Sequence, residues 1–364
     1  MLRSFLPKKI LSSVVIQTAA FFLVVITIME FFARTSWAQK TYTYRSVGNY
    51  HYQFEIKWFR LQDFVQKNGG VDVIILGSSL VNTGIDPAIM AQSYYEQTGI
   101  HLRIFNFGVE GLTIAPNSVN ARILVNKYHP ALLIYVTEMR DYIATDGLDY
   151  EQRFLSNPWI QYQEGKFNFT GWLIDHSMAL QYYLPYRNWM QANFPQLFYS
   201  SFIYCSKNTL ASGYEPELAM GENIDLPPDP NNPDDAQYFE AYGNFQIAPS
   251  RMGNLHSILS LGQSEGTKVL IVEMPVHSTF YVYVGGDKVH KQFQQTISSF
   301  VLSNGGSFIP AERCNDIPLI GRANRWHLNY LGAPVFSSCL GQQLAILADE
   351  QNTHYLNLDA NSLK

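Results

Sequence analysis

Residues 71–80 read Val-Asp-Val-Ile-Ile-Leu-Gly-Ser-Ser-Leu, in which a short and nearly all-apolar run, 71–76, is followed by a glycine and two serines. Such a run is typical of a strand that is buried on both faces of a parallel sheet. The glycine and serines predict a turn at its end, which lets the Ser79 hydroxyl point into the crevice at the sheet edge. Ser79 is therefore a candidate nucleophile, and the alternative is a turn or helix-cap serine.

Outward from this strand, apolar runs and helical segments alternate along the chain. Further strands are predicted at 102–107, 131–136, 268–273 and 307–310, and helices at 87–97, 116–128, 252–264, 288–302 and 330–348. Repeated β-α units of this kind predict an α/β fold with a doubly wound, mainly parallel sheet. A chain of 364 residues can bury a sizeable core in such a domain.

The N-terminal region predicts a membrane anchor. Residues 10–33 are mostly apolar, and a helix of that length spans about 36 Å, which is enough to cross a bilayer core. The preceding tail, 1–9, carries three basic residues and favours a cytoplasmic N-terminus, with the main domain on the periplasmic side of the cytoplasmic membrane. A signal peptide cleaved near 36–38 and a buried core helix are the alternatives.

The remaining chain divides into a linker with an amphipathic helix at 34–70 and a domain at 71–364. An aromatic-rich, helical insertion at about 142–250 interrupts that domain after the third strand. Loops there border the ligand crevice of a parallel sheet, so the insertion is predicted to be a lid or wall. The alternative is that its aromatic residues form the core of a helical subdomain. Its last part, 226–235, is predicted to be a solvated connection.

Composition excludes some classes of function. The net charge of −5 and the lack of a basic block beyond Lys8-Lys9 give no reason to expect nucleic-acid binding. The three cysteines lack the spacing of a zinc or redox site, and no metal or organic cofactor is implied. A bridge between Cys314 and Cys339 would brace the loop that carries His327. The alternative is three buried free thiols, including Cys205.

Two histidines are candidate site residues. His327 lies just before the last predicted helix, and a neutral imidazole could take the proton of the Ser79 hydroxyl. The pair would then serve a serine esterase or acyltransferase, unless His327 is a satisfied core histidine. His277 follows the fourth strand on the same sheet edge, as a substrate-binding residue, a second proton carrier or a loop histidine.

Three short blocks resemble those of the SGNH/GDSL hydrolase superfamily: Gly-Ser-Ser-Leu at 77–80, Asn-Phe-Gly-Val-Glu-Gly-Leu-Thr at 106–113 and Asn-Arg-Trp-His-Leu-Asn at 324–329. The resemblance covers about 70–350, less the insertion. It implies an SGNH-like three-layer sandwich in which Ser79 is the nucleophile, His327 is the base, and the N–H groups of Ser79 and Gly111 bind the oxyanion. Gly111 as a plain turn glycine is the alternative.

The chain departs from the pattern of that superfamily at three positions. Asn324 stands where the triad acid is usual, and an amide cannot stabilise an imidazolium by charge. Asp316, Glu312 or a backbone carbonyl are the candidate substitutes. Arg140 aligns nearest to an oxyanion-binding asparagine; it could bind an oxyanion or anionic substrate, or pair with Asp141 or Glu138. Ser78 replaces an aspartate and can bond nearby backbone.

The Gly-Ser-Ser variant and the anchor look most like the membrane-anchored, envelope-side branches of the superfamily. Those include the D-alanyl transfer protein of teichoic acid synthesis and the alginate O-acetyltransferases. The resemblance implies an esterase or O-acyltransferase that acts on envelope glycans or lipid-linked sugars, with a membrane acyl-donor protein as a possible partner. The alternatives are a catalytically degenerate glycan- or partner-binding assembly factor and a structural subunit of a membrane complex.

Overall fold

A computed structural model of the chain describes residues 14–42, 44–49, 51–143 and 148–350. These residues form two compact units: the first comprises 14–49 with 157–200, and the second comprises 51–156 with 201–350. The predicted tail 1–9, the start of the predicted anchor and the last residues of the chain lie outside the described residues.

The second unit contains a five-stranded parallel sheet, which confirms the predicted α/β class. Its strands are β1 (Val73–Gly77), β2 (Ile104–Gly108), β3 (Leu132–Thr137), β4 (Lys268–Glu273) and β5 (Ser307–Ile309). Their spatial order is β2-β1-β3-β4-β5, with every neighbouring pair parallel. The chain thus adds β2 on one side of β1 and then adds β3, β4 and β5 on the other side. A ligand crevice is expected at the carboxyl ends of β1 and β3, where this direction reverses.

Fifteen helices accompany these strands in the part of the chain that the structure describes. They are α1 (Val14–Ala33), α2 (Ser36–Thr41), α3 (Tyr52–Asn68), α4 (Ser79–Gly84), α5 (Pro87–Thr98), α6 (Ile114–Tyr128), α7 (Leu148–Leu155), α8 (Pro158–Gln163), α9 (Phe169–His176), α10 (Met178–Gln191), α11 (Pro195–Asn208), α12 (Pro233–Tyr242), α13 (Pro249–Ser264), α14 (Asp287–Ser303) and α15 (Gly332–Glu350). Short 3-10 helices occupy Met139–Tyr142, Ser278–Val282, Ala311–Cys314 and Leu319–Gly321.

The strands are buried on both faces, as their apolar runs predict. Ile75 and Ile134 belong to a core cluster that also contains Met90 of α5 and Leu340 of α15. The alternate side chains, such as Tyr135, are fully buried as well. Burial of both faces explains why these strands lack the polar-apolar alternation of a half-exposed sheet.

The first unit contains α1, the one helix among the described residues that is long and apolar enough to cross a membrane. Its mean hydropathy is 2.2, and a signal sequence near an N-terminus would have the same character. The last turn of α1 is tied into its own unit. The Glu30 carboxylate accepts hydrogen bonds from Ser177 Oγ at 2.8 Å and from the backbone N–H groups of Met178 and Ala179 at 3.0 and 3.1 Å. A carboxylate suits this position because these N–H groups begin α10.

Two predictions for the insertion are wrong in part. Its aromatic residues do not form a common core, because Trp159 is buried whereas Phe167, Phe169 and Phe194 are 81%, 63% and 72% exposed. The connection at 226–235 is mostly exposed but ends in Asp235, which is buried. There its carboxylate accepts hydrogen bonds from the Tyr283 hydroxyl and from Arg325, donors that compensate for lost hydration.

A disulfide joins Cys314 to Cys339 and closes the segment that carries His327. The expectation of three free thiols is therefore wrong, although Cys205 is free and buried. The bridge has a sequence separation of 25 residues. A closed loop of that size removes chain entropy from the unfolded state, which is worth about 3 kcal/mol of stability.

Reduction of this disulfide is expected to lower the thermal midpoint of the sheet unit by roughly 6 to 12 °C. The measurement is tryptophan fluorescence of the full chain in detergent micelles, with and without reductant. The matched control is the Cys314→Ser/Cys339→Ser variant, whose midpoint should already be low and should not respond to reductant. Equal midpoints for the oxidised and reduced wild-type protein would contradict the bracing role.

Candidate active site

Ser79 lies at the carboxyl edge of the sheet, at the start of α4. Strand β1 ends at Gly77, and the Ser78 hydroxyl accepts the Leu80 N–H at 3.3 Å as the helix cap. Ser79 is therefore the first residue of α4, beside the point where the strand order reverses. The sequence predicted the turn but not the short helix that begins with the serine.

Two glycines let α4 pack closely onto the sheet. A Cβ atom at Gly108 would lie 2.5 Å from the Asn82 nitrogen, and one at Gly77 would lie 2.4 Å from the Val81 side chain. Both distances are shorter than van der Waals contact, so a larger residue would force α4 away from β1 and β2. Glycine at the ends of these strands thereby fixes the position of Ser79.

Asn106 on β2 holds the same helix by hydrogen bonds. Its amide donates to the carbonyl oxygens of Val81 at 2.6 Å and Ile85 at 2.8 Å. Its oxygen accepts from the Gly108 N–H at 2.9 Å and from Lys57 Nζ at 3.2 Å. Lys57 is completely buried, and this burial lowers its pKa to about 7. Sequence reasoning assigned Asn106 to a motif but missed its role of tying α4, the helix that begins with Ser79, to the sheet.

His327 meets Ser79 across a sequence separation of 248 residues, with 2.8 Å between Ser79 Oγ and His327 Nε2. The histidine lies in a turn that Arg322 and Leu328 close as an antiparallel bridge, with a hydrogen bond from the Ala323 N–H to the His327 carbonyl at 2.9 Å. The Arg322 guanidinium anchors this turn to the Pro275 carbonyl at 2.9 Å, just after β4. The two residues that the sequence singled out are therefore in direct contact.

Asn324 faces the other ring nitrogen of His327, with 3.0 Å between Nδ2 and Nδ1. Its oxygen accepts two backbone N–H groups, from His327 at 2.7 Å and from Trp326 at 3.0 Å. Both partners are donors, so the atom they meet must be the amide oxygen and the NH₂ group must face the imidazole. The expected carboxylate substitutes are not at this position, and Glu312 instead accepts a hydrogen bond from Gln294.

The amide orientation decides the resting protonation of the imidazole. An NH₂ group only donates, so Nδ1 must accept and the ring proton must be on Nε2. Nε2–H then donates to Ser79 Oγ, the reverse of the direction that general-base catalysis requires. Proton transfer from Ser79 therefore needs the other tautomer, in which two N–H groups would face each other at Asn324.

The imidazole of His327 is also hard to protonate. Burial, followed by the nearby charge of Arg140, lowers its pKa to about 4. Arg140 belongs to the 3-10 helix after β3, and its guanidinium lies 3.1 Å from the Glu138 carboxylate. The ion pair with Glu138 that the sequence offered as an alternative is thus present, and the pKa of His327 responds to the Arg140 charge.

The remaining predicted site residues have local roles in the structure. Gly111 lies in an exposed turn with φ +73°, a conformation that glycine favours, and its oxyanion role stays a prediction. His277 Nδ1 pairs with Thr279 Oγ1 at 2.8 Å, and the His277 N–H donates to the Arg325 carbonyl at 2.7 Å. Burial and Arg322 lower the pKa of His277. His277 thus supports the histidine turn from β4.

One segment that the sequence did not single out supports both sides of the site. Residues 212–221 make backbone hydrogen bonds to both sides. On the serine side Ser212 pairs with Asn106 and Glu215 with Asn82, and on the histidine side Glu217 pairs with Tyr330 and Gly221 with Arg322. A cavity of about 320 Å³ lies beside its end, lined by Met220, Gly221, Asn223, Ile224, Asp225, Leu319 and Ile320. Neither Ser79 nor His327 lines this cavity, which adjoins the histidine turn through the segment at Leu319–Gly321.

No family model matches the chain, and no curated protein matches its sequence.

The Arg140→Gln variant is expected to raise the pKa of His327 from about 4, because a positive charge that opposes protonation is removed. The measurement is an NMR titration of histidine-¹⁵N-labelled full-length protein in micelles, with His327→Gln to assign the resonance. Arg153→Gln, at an exposed arginine of α7, is the matched control and should leave the titration unchanged. An unchanged pKa in Arg140→Gln would contradict the electrostatic coupling.

Proposed function

We propose that this protein is a serine-dependent esterase or O-acyltransferase with Ser79 as nucleophile and His327 as base. The observation that carries the proposal is the 2.8 Å contact between Ser79 Oγ and His327 Nε2 at the carboxyl edge of a parallel sheet. A hydroxyl at the start of a helix after β1, with an imidazole within hydrogen-bond reach, is the minimum that nucleophilic acyl transfer needs.

The reaction has two halves. Once the imidazole proton has moved from Nε2 to Nδ1, Ser79 Oγ attacks the ester carbonyl carbon while its own proton passes to His327 Nε2, and the carbonyl electrons move to the oxygen. That oxyanion is proposed to be bound by the N–H groups of Ser79 and Gly111 and by Arg140. The intermediate collapses to acyl-Ser79 as the leaving alcohol takes the proton from Nε2. Water or an acceptor hydroxyl then repeats the sequence and releases the acyl group.

The proposal extends to membership of the SGNH/GDSL superfamily and its three-layer arrangement. Three features support it: Gly-Ser-Ser-Leu follows β1, the Asn106–Thr113 block begins in β2, and the histidine block precedes the last helix. The order of these blocks is that of the superfamily. On this resemblance the substrates are proposed to be O-acyl groups of envelope glycans or lipid-linked sugars, with a membrane acyl-donor protein as partner.

A retained anchor and an extracytoplasmic site are part of the proposal. The hydrogen bonds that Glu30 accepts from Ser177, Met178 and Ala179 support retention. Cleavage near 36–38 would remove Glu30 and leave the N–H groups at the start of α10 without this acceptor. The disulfide between Cys314 and Cys339 supports an oxidising compartment outside the cytoplasm. Together they favour a single-pass protein whose sheet unit faces the periplasm.

The second candidate function is a catalytically degenerate binding or assembly factor. The Asn324 amide favours it, because this amide stabilises the tautomer in which His327 cannot accept the serine proton. In serine proteases the change from aspartate to asparagine at the comparable position lowers turnover by about 10⁴ through the wrong tautomer. The two candidates therefore differ in how often His327 reaches the productive tautomer.

Labelling of the full-length protein with a fluorophosphonate probe tests the enzyme proposal. Wild-type protein is expected to react slowly, and Ser79→Ala and His327→Ala are expected to lose the label, because the probe needs an activated hydroxyl. Ser78→Ala is the matched control: it removes a neighbouring hydroxyl and costs about 1 kcal/mol of helix capping but should keep the label. Labelling that is absent, or that persists in Ser79→Ala, would contradict the proposal.

The Asn324→Asp variant separates the two candidate functions. A carboxylate can keep both backbone N–H groups on one oxygen and accept Nδ1–H on the other, which leaves Nε2 free to accept the serine proton. The labelling rate is expected to rise by between about 10² and 10⁴, with Nε2 changing from protonated to unprotonated in the ¹⁵N spectrum.

The matched control for added charge is Asn315→Asp, because Asn315 is exposed and its side-chain oxygen accepts a bond from Arg322. This variant should change neither the labelling rate nor the tautomer. A folded Asn324→Asp protein without a gain in labelling would contradict the role given to the amide. A wild-type spectrum with the proton on Nδ1 would contradict the resting tautomer even if labelling is fast.

A further inference from the structure

The end of α1 lies beside an exposed aromatic surface within its own unit. Two rows of rings begin there. In the first, ring centroids are separated by 5.4 Å between Phe32 and Trp37, 6.5 Å between Trp37 and Tyr42, and 6.0 Å between Tyr42 and Tyr182.

The second row joins Phe169 to Trp172 at 5.8 Å and Trp172 to His176 at 5.1 Å. Arg34 fixes this row to α1, since its guanidinium donates to the His176 carbonyl at 2.9 Å and to Glu30. We call the rings of Phe32, Trp37, Tyr42, Phe169, Trp172 and Tyr182 the exit cluster.

The exit cluster is too exposed to be a protein core. Trp37 is 59% exposed and Phe169 is 63% exposed, although both are large apolar rings. Charges are few along the second row, where the charged residues between positions 169 and 191 are Asp175 and Arg187, while Arg34 and Lys40 flank the first row. Asp175 is already engaged, because it accepts hydrogen bonds from Trp159 and Gln163. An exposed aromatic surface of this kind indicates a site that contacts a membrane or another protein.

The length of α1 indicates which partner. The 20 described residues of α1 span about 30 Å, the thickness of a bilayer hydrocarbon core, and the helix ends at Ala33, which places its last turn at the boundary with the headgroups. Phe32 belongs to that turn, the rest of the first row continues from it, and Arg34 holds the second row to the same end of α1. Tryptophan and tyrosine favour this boundary because their rings are apolar while their N–H and O–H groups remain hydrated.

We propose that the exit cluster lies in the headgroup layer of the bilayer that α1 crosses, so that α9 and the first turns of α10 rest on the membrane surface. The proposal rests on α1 as the membrane span and is independent of catalysis at Ser79. It gives Glu30 and Arg34 a further role: Glu30 ties the start of α10 to the anchor and Arg34 ties the end of α9 to it, which fixes the orientation of the first unit on the lipid. The occupant of the surface is phospholipid, with Trp37 and Trp172 as its main interfacial contacts.

The test uses the full chain reconstituted in phosphatidylcholine vesicles that contain lipids brominated near the headgroup or deep in the acyl chain. Headgroup-proximal bromine is expected to quench tryptophan fluorescence more than deep bromine does. The quenched fraction should fall by about a third or more in Trp37→Phe and in Trp172→Phe. Trp58→Phe is the matched control, because Trp58 is buried in the sheet unit and its loss should not reduce quenching.

Three results would overturn the proposal. Quenching that is unchanged in both variants would show that these rings do not touch lipid. Protection of both rings from bromolipid and from aqueous iodide would assign the surface to a protein partner or a second copy of the chain. Extraction of the wild-type protein from vesicles by alkaline carbonate would show that α1 is not embedded, whatever the outcome of serine labelling.

Discussion

The central position of β1 constrains everything that surrounds the candidate site. Because β1 pairs in parallel with both β2 and β3, the turns after all three strands meet at one edge. Ser79 follows β1 there, and α4 can occupy the crevice only because Gly77 and Gly108 carry no side chain. Asn106 then donates hydrogen bonds to the carbonyl groups of Val81 in α4 and of Ile85 just after it, so the helix that begins with Ser79 is held by the sheet.

The opposite side of the site is built from distant parts of the chain. The turn that holds His327 is fixed to β4 by Arg322 and His277, and the segment around it is closed by the disulfide. Within that turn, one amide determines the chemistry. The two backbone N–H groups that bind its oxygen belong to Trp326 and His327 themselves, so the local backbone orients Asn324, and Asn324 in turn orients the proton on the imidazole.

Burial and charge act on the same imidazole in a consistent direction. The pKa of His327 is lowered to about 4, so the ring is neutral at ordinary pH, and protonation does not compete with the proposed role of His327 as a base. What limits it is the tautomer. A neutral imidazole whose proton is on Nε2 is suited to slow acyl transfer or to binding without chemistry. Replacing Asn324 by aspartate distinguishes these two functions.

Much of the fold was predictable because the strands are buried on both faces and read as uninterrupted apolar runs. Their predicted bounds differ from the observed ones by at most two residues, and Ser79 and His327 were recognisable from residue type and position near strand and helix ends. The helix α4 was not predicted, because it is only six residues long and depends on its packing against β1 and β2. The burial of Asp235 was missed because its donors, Tyr283 and Arg325, lie far away in sequence.

The sequence by itself determined the parallel α/β class, the apolar N-terminal helix and the identity of the two residues that meet at the sheet edge. Only the tertiary structure decided the direction of the proton between them, the pairing of Cys314 with Cys339, and the exposure of the aromatic surface beside α1. The physical reason is the range of the interactions. Apolar periodicity is a property of residues that are close together in the sequence. In contrast, groups that only the fold brings together determine how an amide is oriented, which cysteines pair and which side chains are buried.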